Sequence, residues 1–424
     1  MSEKLFDFIK SSPTAYHTVK SCRDMLDAAG YVRIYENDRT ELKCGGKYYI
    51  TRDGSSVIAF RIPEEKKGFM IVASHSDSPA FRVKMSGEKG GAYTRLDVER
   101  YGGMILYTWL DRPLSVAGRI VVETDSGLRE QLVNIDRDLA VIPSVAVHLN
   151  RGVNDGYKFN PAVDMLPLVS TSSDKSIISA IAKEAGVECE KIISHDLFLY
   201  NRDEPRAFGI DGELMLSPRL DDLECVYSSL SGFLASGDTD SVPVFAVFNN
   251  EEVGSETKQG AASTFLHHTL RRIAGEDYEA MLESSFMVSA DNAHALHPNH
   301  PELSDAANAP TLNGGVVIKY NANQRYATDG VSAAVFTKIC NKAGVKVQTY
   351  YNRADMPGGS TLGSISDTVV SVPTVDIGLA QLAMHSANEC AGVGDLCDMV
   401  KALTQLYNTS FSRHGEEIEI HFSR

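Results

Sequence analysis

A series of short, almost wholly apolar runs separated by helix-like stretches constrains this chain most. The runs are SVIAF (56–60), GFMIVAS (68–74), VPVFAVF (242–248), SFMVSA (285–290), GVVIKY (315–320) and TVVSVPTVDIG (368–378). They are continuous where a half-exposed strand would alternate, so they predict strands buried on both faces. Between the later runs, GAASTFLHHTLRRIAG (260–275), VSAAVFTKICNKAG (331–344) and AGVGDLCDMVKALTQLYNTSF (391–411) predict helices. Together they predict an α/β fold, a mainly parallel sheet sandwiched by helices. In such folds chemistry gathers where strands end at their C-terminal edge.

The middle of the chain breaks this pattern. From roughly 90 to 215, turn-punctuated pieces such as GGMILYTWL and VAGRIVVETDSG surround one short helical stretch, SIISAIAKEAG. We expect a separate β-rich unit inserted into a catalytic one, with residues 1–89 and 215–424 forming the catalytic domain and 90–214 the insertion. A length of 424 residues suits about two domains.

Charge and cysteine usage narrow the function classes. A net charge of −15 argues against nucleic acid or an anionic membrane as partner. No run approaches the ~18 apolar residues of a membrane-spanning helix. The start, MSEKLFDFIKSSPTAYHTVKSC, lacks the apolar core of a signal peptide. Seven scattered cysteines with no C-x-x-C pair are expected to be thiols in a reducing compartment, which predicts a cytoplasmic protein.

Ligand-type residues follow the predicted strands. HSDSP after GFMIVAS supplies His75 and Asp77, and SPRLDD supplies Asp221 and Asp222. NNEEVGS after VPVFAVF supplies the adjacent pair Glu251 and Glu252. DNAHALHPNH after SFMVSA supplies Asp291, His294, His297 and His300, and MHSANE supplies His385. Alone, HSDSP reads as a turn with Asp77 capping a helix, and RLDD as a solvated helix start. The histidines of HALHPNH cannot all be ligands, so His297 and His300 are expected in a loop. Repetition at successive strand ends is harder to obtain from a solvated surface. Oxygen and imidazole donors without cysteine suit Zn²⁺, Mn²⁺ or Co²⁺. The longest interval, from His75 to Asp221, coincides with the β-rich block.

In this order, HSDSP, SPRLDDLECV, NNEEVGS, SADNAHALHPN and QLAMHS resemble the aspartyl aminopeptidase family of dinuclear zinc metallopeptidases. SPTAYHTV, VAVHLNRGVN, VIKYNANQRYATDG and ADMPGGSTLG extend the resemblance over nearly the whole chain. One departure is Asp222, where the family commonly has asparagine; it adds a negative charge beside the metals.

The resemblance implies a zinc-aminopeptidase-like catalytic domain with an inserted dimerisation domain, and two divalent ions per subunit, zinc or alternatively manganese or cobalt. Asp221 would bridge the ions, His75 and Asp291 completing one site, Glu252 and His385 the other. Asp77 would orient the His75 ring, and Glu251 would be the general base. Lys319 and His294 match positions near the pocket for the substrate's first side chain, and His148 matches a histidine that reaches a neighbouring subunit's site. The implied substrates are peptides with a free N-terminus, acidic first residues ranking before neutral ones such as leucine. The implied assembly is a homo-oligomer, dimers closing into a tetrahedral dodecamer. The rival readings are a carboxypeptidase or N-acyl deacylase on the same metal cage, and a non-catalytic shell keeping metal for stability.

Overall fold

The computed structural model describes residues 1–173 and 175–423. Its largest element is a nine-stranded sheet. In spatial order the strands are Val32–Arg33, Lys47–Arg52, Ser56–Arg61, Val242–Phe248, Phe69–His75, Phe286–Ala290, Thr374–Gly378, Val316–Tyr320 and Val347–Tyr351. The four from Val242–Phe248 to Thr374–Gly378 are parallel, as their two-sided burial predicts. Antiparallel pairings flank them: Ser56–Arg61 against Val242–Phe248 on one side, Val316–Tyr320 against Thr374–Gly378 on the other.

Alternate residues of the central strands enter two separate cores. Met70, Val72, Phe245 and Val247 face helices Ser2–Lys10, Ala15–Ala28, Leu220–Ala235, Gly330–Ala343 and Val393–Tyr407. Ile71, Ala73, Val244 and Ala246 face Phe265–Ala274, Tyr278–Glu283 and Leu362–Asp367. Continuous apolar runs are the sequence consequence of covering both faces. Among the described residues, no helix is long and apolar enough to cross a membrane.

Residues 80–201 supply a second sheet of six strands. Its order is Gly127–Asn134, Leu114–Thr124, Ile192–Asn201, Ala80–Lys89, Thr94–Tyr101 and Leu168–Ser170, antiparallel throughout. It has its own core, around Phe81, Trp109, Val116, Leu197 and Leu199. Its first strand starts only a few residues after His75, so the chain enters this sheet directly from the edge where ligand-type residues gather. Arg119, held by Asp196 of the adjacent strand at 2.7 Å, ties the two sheets together by donating to the Asp53 carbonyl at 3.0 Å. A five-stranded sheet, Arg206–Phe208, Leu214–Ser217, Glu389–Gly392, Ala380–Leu382 and Ala293–His294, lies beside the central strand ends.

Candidate metal centre

The parallel strands deliver their last residues to one edge. His75 ends its strand and pairs in register with Phe248. The chain then turns through Asn250, in the left-handed region at φ 64°, into the short 3-10 turn Glu251–Val253. Asp291 follows the Phe286–Ala290 strand directly. Asp221 and Asp222 open the Leu220–Ala235 helix with non-helical dihedrals, which turns both carboxylates into the cluster. His385, at φ 66°, occupies the loop between Ala380–Leu382 and Glu389–Gly392.

This topology brings together His75, Asp221, Asp222, Glu251, Glu252, Asp291 and His385. Ligand atoms lie within 4.8 Å of one another in three overlapping groups: His75, Asp221, Asp222 and Asp291; His75, Glu251 and Glu252; Asp221, Glu252 and His385. Asp221 Oδ1 is 3.3 Å from His75 Nε2, while Oδ2 is 3.4 Å from His385 Nε2. His385 Nε2 is also 3.4 Å from Glu252 Oε2.

The donor set fits zinc. A tetrahedral ion with bonds of about 2.0–2.1 Å sets its ligand atoms about 3.3–3.4 Å apart, the spacing observed at these three edges. Asp221 Oδ1 and Glu252 Oε1 are buried without a hydrogen-bond partner, as carboxylate oxygens reserved for a cation would be.

Electrostatics agree. Burial and the Asp291, Asp77 and Asp221 charges, resisted by His75, push the Glu251 carboxyl up to about 8. Burial and Asp221 likewise raise Glu252 well above the carboxylate range. Burial alone would lower His385, but Asp221 and Glu252 lift it to about 10. Crowded carboxylates that resist ionising, beside imidazoles that hold protons, describe a cluster short of positive charge.

The supports differ in detail from the sequence expectation. The acceptor closest to His75 Nδ1 is the Asp77 main-chain carbonyl at 3.1 Å, with the Asp77 carboxylate at 3.5 Å. That carboxylate instead accepts the N–H groups of Glu251 and Glu252, each at 3.2 Å, and the Tyr101 hydroxyl at 2.6 Å. Asp222 Oδ2 accepts the His75 N–H at 3.0 Å, so the extra carboxylate bonds to a residue bearing a ligand imidazole. Sequence reasoning passed over Glu389. Its buried carboxylate accepts the His385 N–H through Oε1 at 2.7 Å and the Asp221 N–H through Oε2 at 2.9 Å. Burial and Asp221 push it up to about 8.

A cavity of about 300 Å³ opens beside the cluster, lined by Asp221, Glu251, Asp291, His294, Lys319, Tyr326, Ser360, Thr361 and His385 among others. Lys319 is fully buried, its Nζ donating to the Asp291 carbonyl at 2.7 Å and lying 3.7 Å from Asp291 Oδ2. His294 lines the same cavity, its pKa lowered by desolvation and by Lys319. His297 and His300 lie in an exposed loop, away from these walls. His148 lies in an exposed stretch of the 80–201 unit and is not among the cavity's lining residues.

Comparisons with known proteins agree on one family. Residues 8–407 match the Peptidase M18 family, described as aminopeptidase I zinc metalloprotease. A "Probable M18 family aminopeptidase 2" from Clostridium acetobutylicum is 43% identical over 425 residues, covering 96% of this chain and 98% of the relative. Among solved structures, that of the Ape4 and Nbr1 complex superposes with a TM-score of 0.92 at 34% identity, covering 96% of this chain and 85% of that one. The S. cerevesiae mApe1 dodecamer superposes with a TM-score of 0.85 at 26% identity, covering 96% and 97%.

Proposed function

Because the chain belongs to the M18 family of aminopeptidase I zinc metalloproteases, we propose that it is an aspartyl-type aminopeptidase working with two divalent ions per subunit. The observation that carries this reading is Asp221: its two oxygens address His75 and His385 at the spacing of a metal's coordination edges. His75 and Asp291 complete one site, Glu252 and His385 the other, with zinc the first choice and manganese or cobalt the alternatives.

When bound, the ions supply Lewis acidity, lowering the pKa of water and polarising a carbonyl. Glu251, in the cavity wall, takes a proton from the attacking water at its carboxylate and passes it to the departing amine. The acidic wall also favours a free N-terminal ammonium, which limits cleavage to the first residue. Lys319 gives the cavity the positive character an Asp or Glu side chain needs, and His294, which resists protonation beside it, offers a neutral imidazole to the same side chain; neutral residues rank second. Asp77 fixes the turn that carries Glu251 and Glu252.

The β-rich insertion expected over 90–214, whose sheet is drawn from residues 80–201, serves as the dimerisation unit, and dimers close into a dodecamer of the kind named for the mApe1 structure. His148 would then reach the neighbouring subunit's site. Scattered free thiols suit a cytoplasmic location.

Metal content per chain, measured beside hydrolysis of Asp-, Glu- and Leu-substrates with free and acetylated N-termini, tests the proposal. Two ions, faster release of acidic residues and loss of rate on acetylation are expected. Faster cleavage of the acetylated forms would indicate a deacylase instead. Glu251→Gln should keep its metal while turnover collapses; surviving turnover would remove Glu251 as base.

A further inference from the structure

The chain returns from the six-stranded sheet past the metal cluster, and successive residues there touch its parts. Tyr101 ends the Thr94–Tyr101 strand. Its hydroxyl donates to Asp77 Oδ2 at 2.6 Å and accepts from Asn250 Nδ2 at 2.8 Å. Gly102 follows at φ +77°, where a Cβ would stand 3.1 Å from the Glu252 Cβ. The Gly103 carbonyl accepts His385 Nδ1–H at 3.1 Å, and the Ile105 N–H donates to the His385 carbonyl at 3.0 Å. None of these residues offers a metal ligand.

We propose that 101–105 is a positioning strap for the active site, and that Tyr101 sets the placement of Glu251 through Asp77. The inference rests on Glu251 acting as the base. Glu251 sits on a three-residue turn, too short to fix its own direction. The Asp77 carboxylate gives that direction by accepting the Glu251 and Glu252 N–H groups on its two oxygens. An acceptor held only by those two bonds would move with the turn. The Tyr101 hydroxyl anchors it from the second sheet, and Asn250, the residue preceding Glu251, donates to the same hydroxyl. A base must be held within a few tenths of an ångström of its productive position, and rigid neighbours supply that restraint. The proposal makes the second sheet part of the catalytic apparatus of its own subunit.

Tyr101→Phe isolates the hydroxyl, because the ring's edge-on contact with Phe198, at 5.5 Å, is available to phenylalanine too. The variant should retain the parent's metal content and KM while kcat falls about 10- to 100-fold, the scale of losses around metal sites. In a Glu251→Gln background the same change should cost nothing further, since residues acting through one group are not additive. Parental kcat in Tyr101→Phe would overturn the proposal. So would a loss explained by missing metal, or losses that multiply in the double variant. Undiminished turnover in Glu251→Gln alone would instead sink the base assignment, so the two failures are distinguishable.

Discussion

The carboxylate of Glu389 accepts the main-chain N–H of Asp221 at 2.9 Å, and its other oxygen accepts that of His385 at 2.7 Å. One buried side chain thereby fixes the relative position of two neighbouring cluster residues that come from different elements. Glu389→Gln replaces one acceptor with an NH₂ that faces an N–H, leaving a buried donor unpaired at a cost of about 1–3 kcal/mol. Zinc affinity should fall about 10- to 100-fold, with activity partly recovered in excess metal. Competition with a chelator measures this, and parental affinity would refute it.

Removing the metals should make the fold sensitive to alkali. Glu251 and Glu389, both raised to about 8, hold protons in the metal-free fold that the unfolded chain releases above its usual carboxylate pKa. His385, raised to about 10, does the same above the usual imidazole pKa. Each contribution is therefore lost as pH rises through the folded value. Asp221 is shifted downward despite its burial, by its bonds to His385 and His75, and acts only under strongly acid conditions. Metal-free protein should melt at steadily lower temperature between about pH 5 and about pH 10. The zinc-loaded protein should not, so the stabilisation by zinc grows with pH. Calorimetry of both forms tests it; parallel curves would contradict the argument.

Much of this architecture is written in side-chain pattern, and the rest is written elsewhere. The apolar runs are legible because burial on both faces leaves few polar positions in them. The antiparallel pairing of Ser56–Arg61 is not, because either pairing direction wants the same residues. The ligands are legible because ligand-type residues recur at strand ends. Glu389 escapes because its short strand, ECAG, gives no apolar run and its carboxylate serves main-chain N–H groups that no motif encodes. The Asp77 carboxylate is turned toward the Glu251–Glu252 turn for a similar reason: the His75 ring is bonded by a carbonyl, which every residue carries. Tyr101 meets Asn250 only once the second sheet has folded back on the first.

Lys319 should affect both integrity and selectivity. Its Nζ bonds to the carbonyls of Asp291 and Asn292, so part of its charge supports a ligand strand end. Breaking a buried charge pair costs about 3–5 kcal/mol, and Lys319→Met should lose stability on that scale. If its charge also serves an acidic substrate, the Asp/Leu ratio of kcat/KM should fall about 10- to 100-fold beyond any common loss, the worth of one charge-assisted hydrogen bond. An unchanged ratio would confine Lys319 to holding Asp291.

The stretch around His148 tests whether the site is completed by another subunit. Val145, Val147 and Leu149 are 54%, 52% and 84% exposed, an alternation of bare apolar side chains that suits an interface. Leu149→Asp should lower the mass seen by light scattering and reduce activity with it. A sharper test uses two variants that are each impaired, His148→Ala and Glu251→Gln. If His148 acts across the interface, a mixed dimer holds one site with an intact Glu251 from one subunit and an intact His148 from the other. Dissociating and reassembling the two variants together should therefore restore activity that neither has alone. Were His148 to act within its own subunit, every site in the mixture would carry one of the two defects, and reassembly would restore nothing.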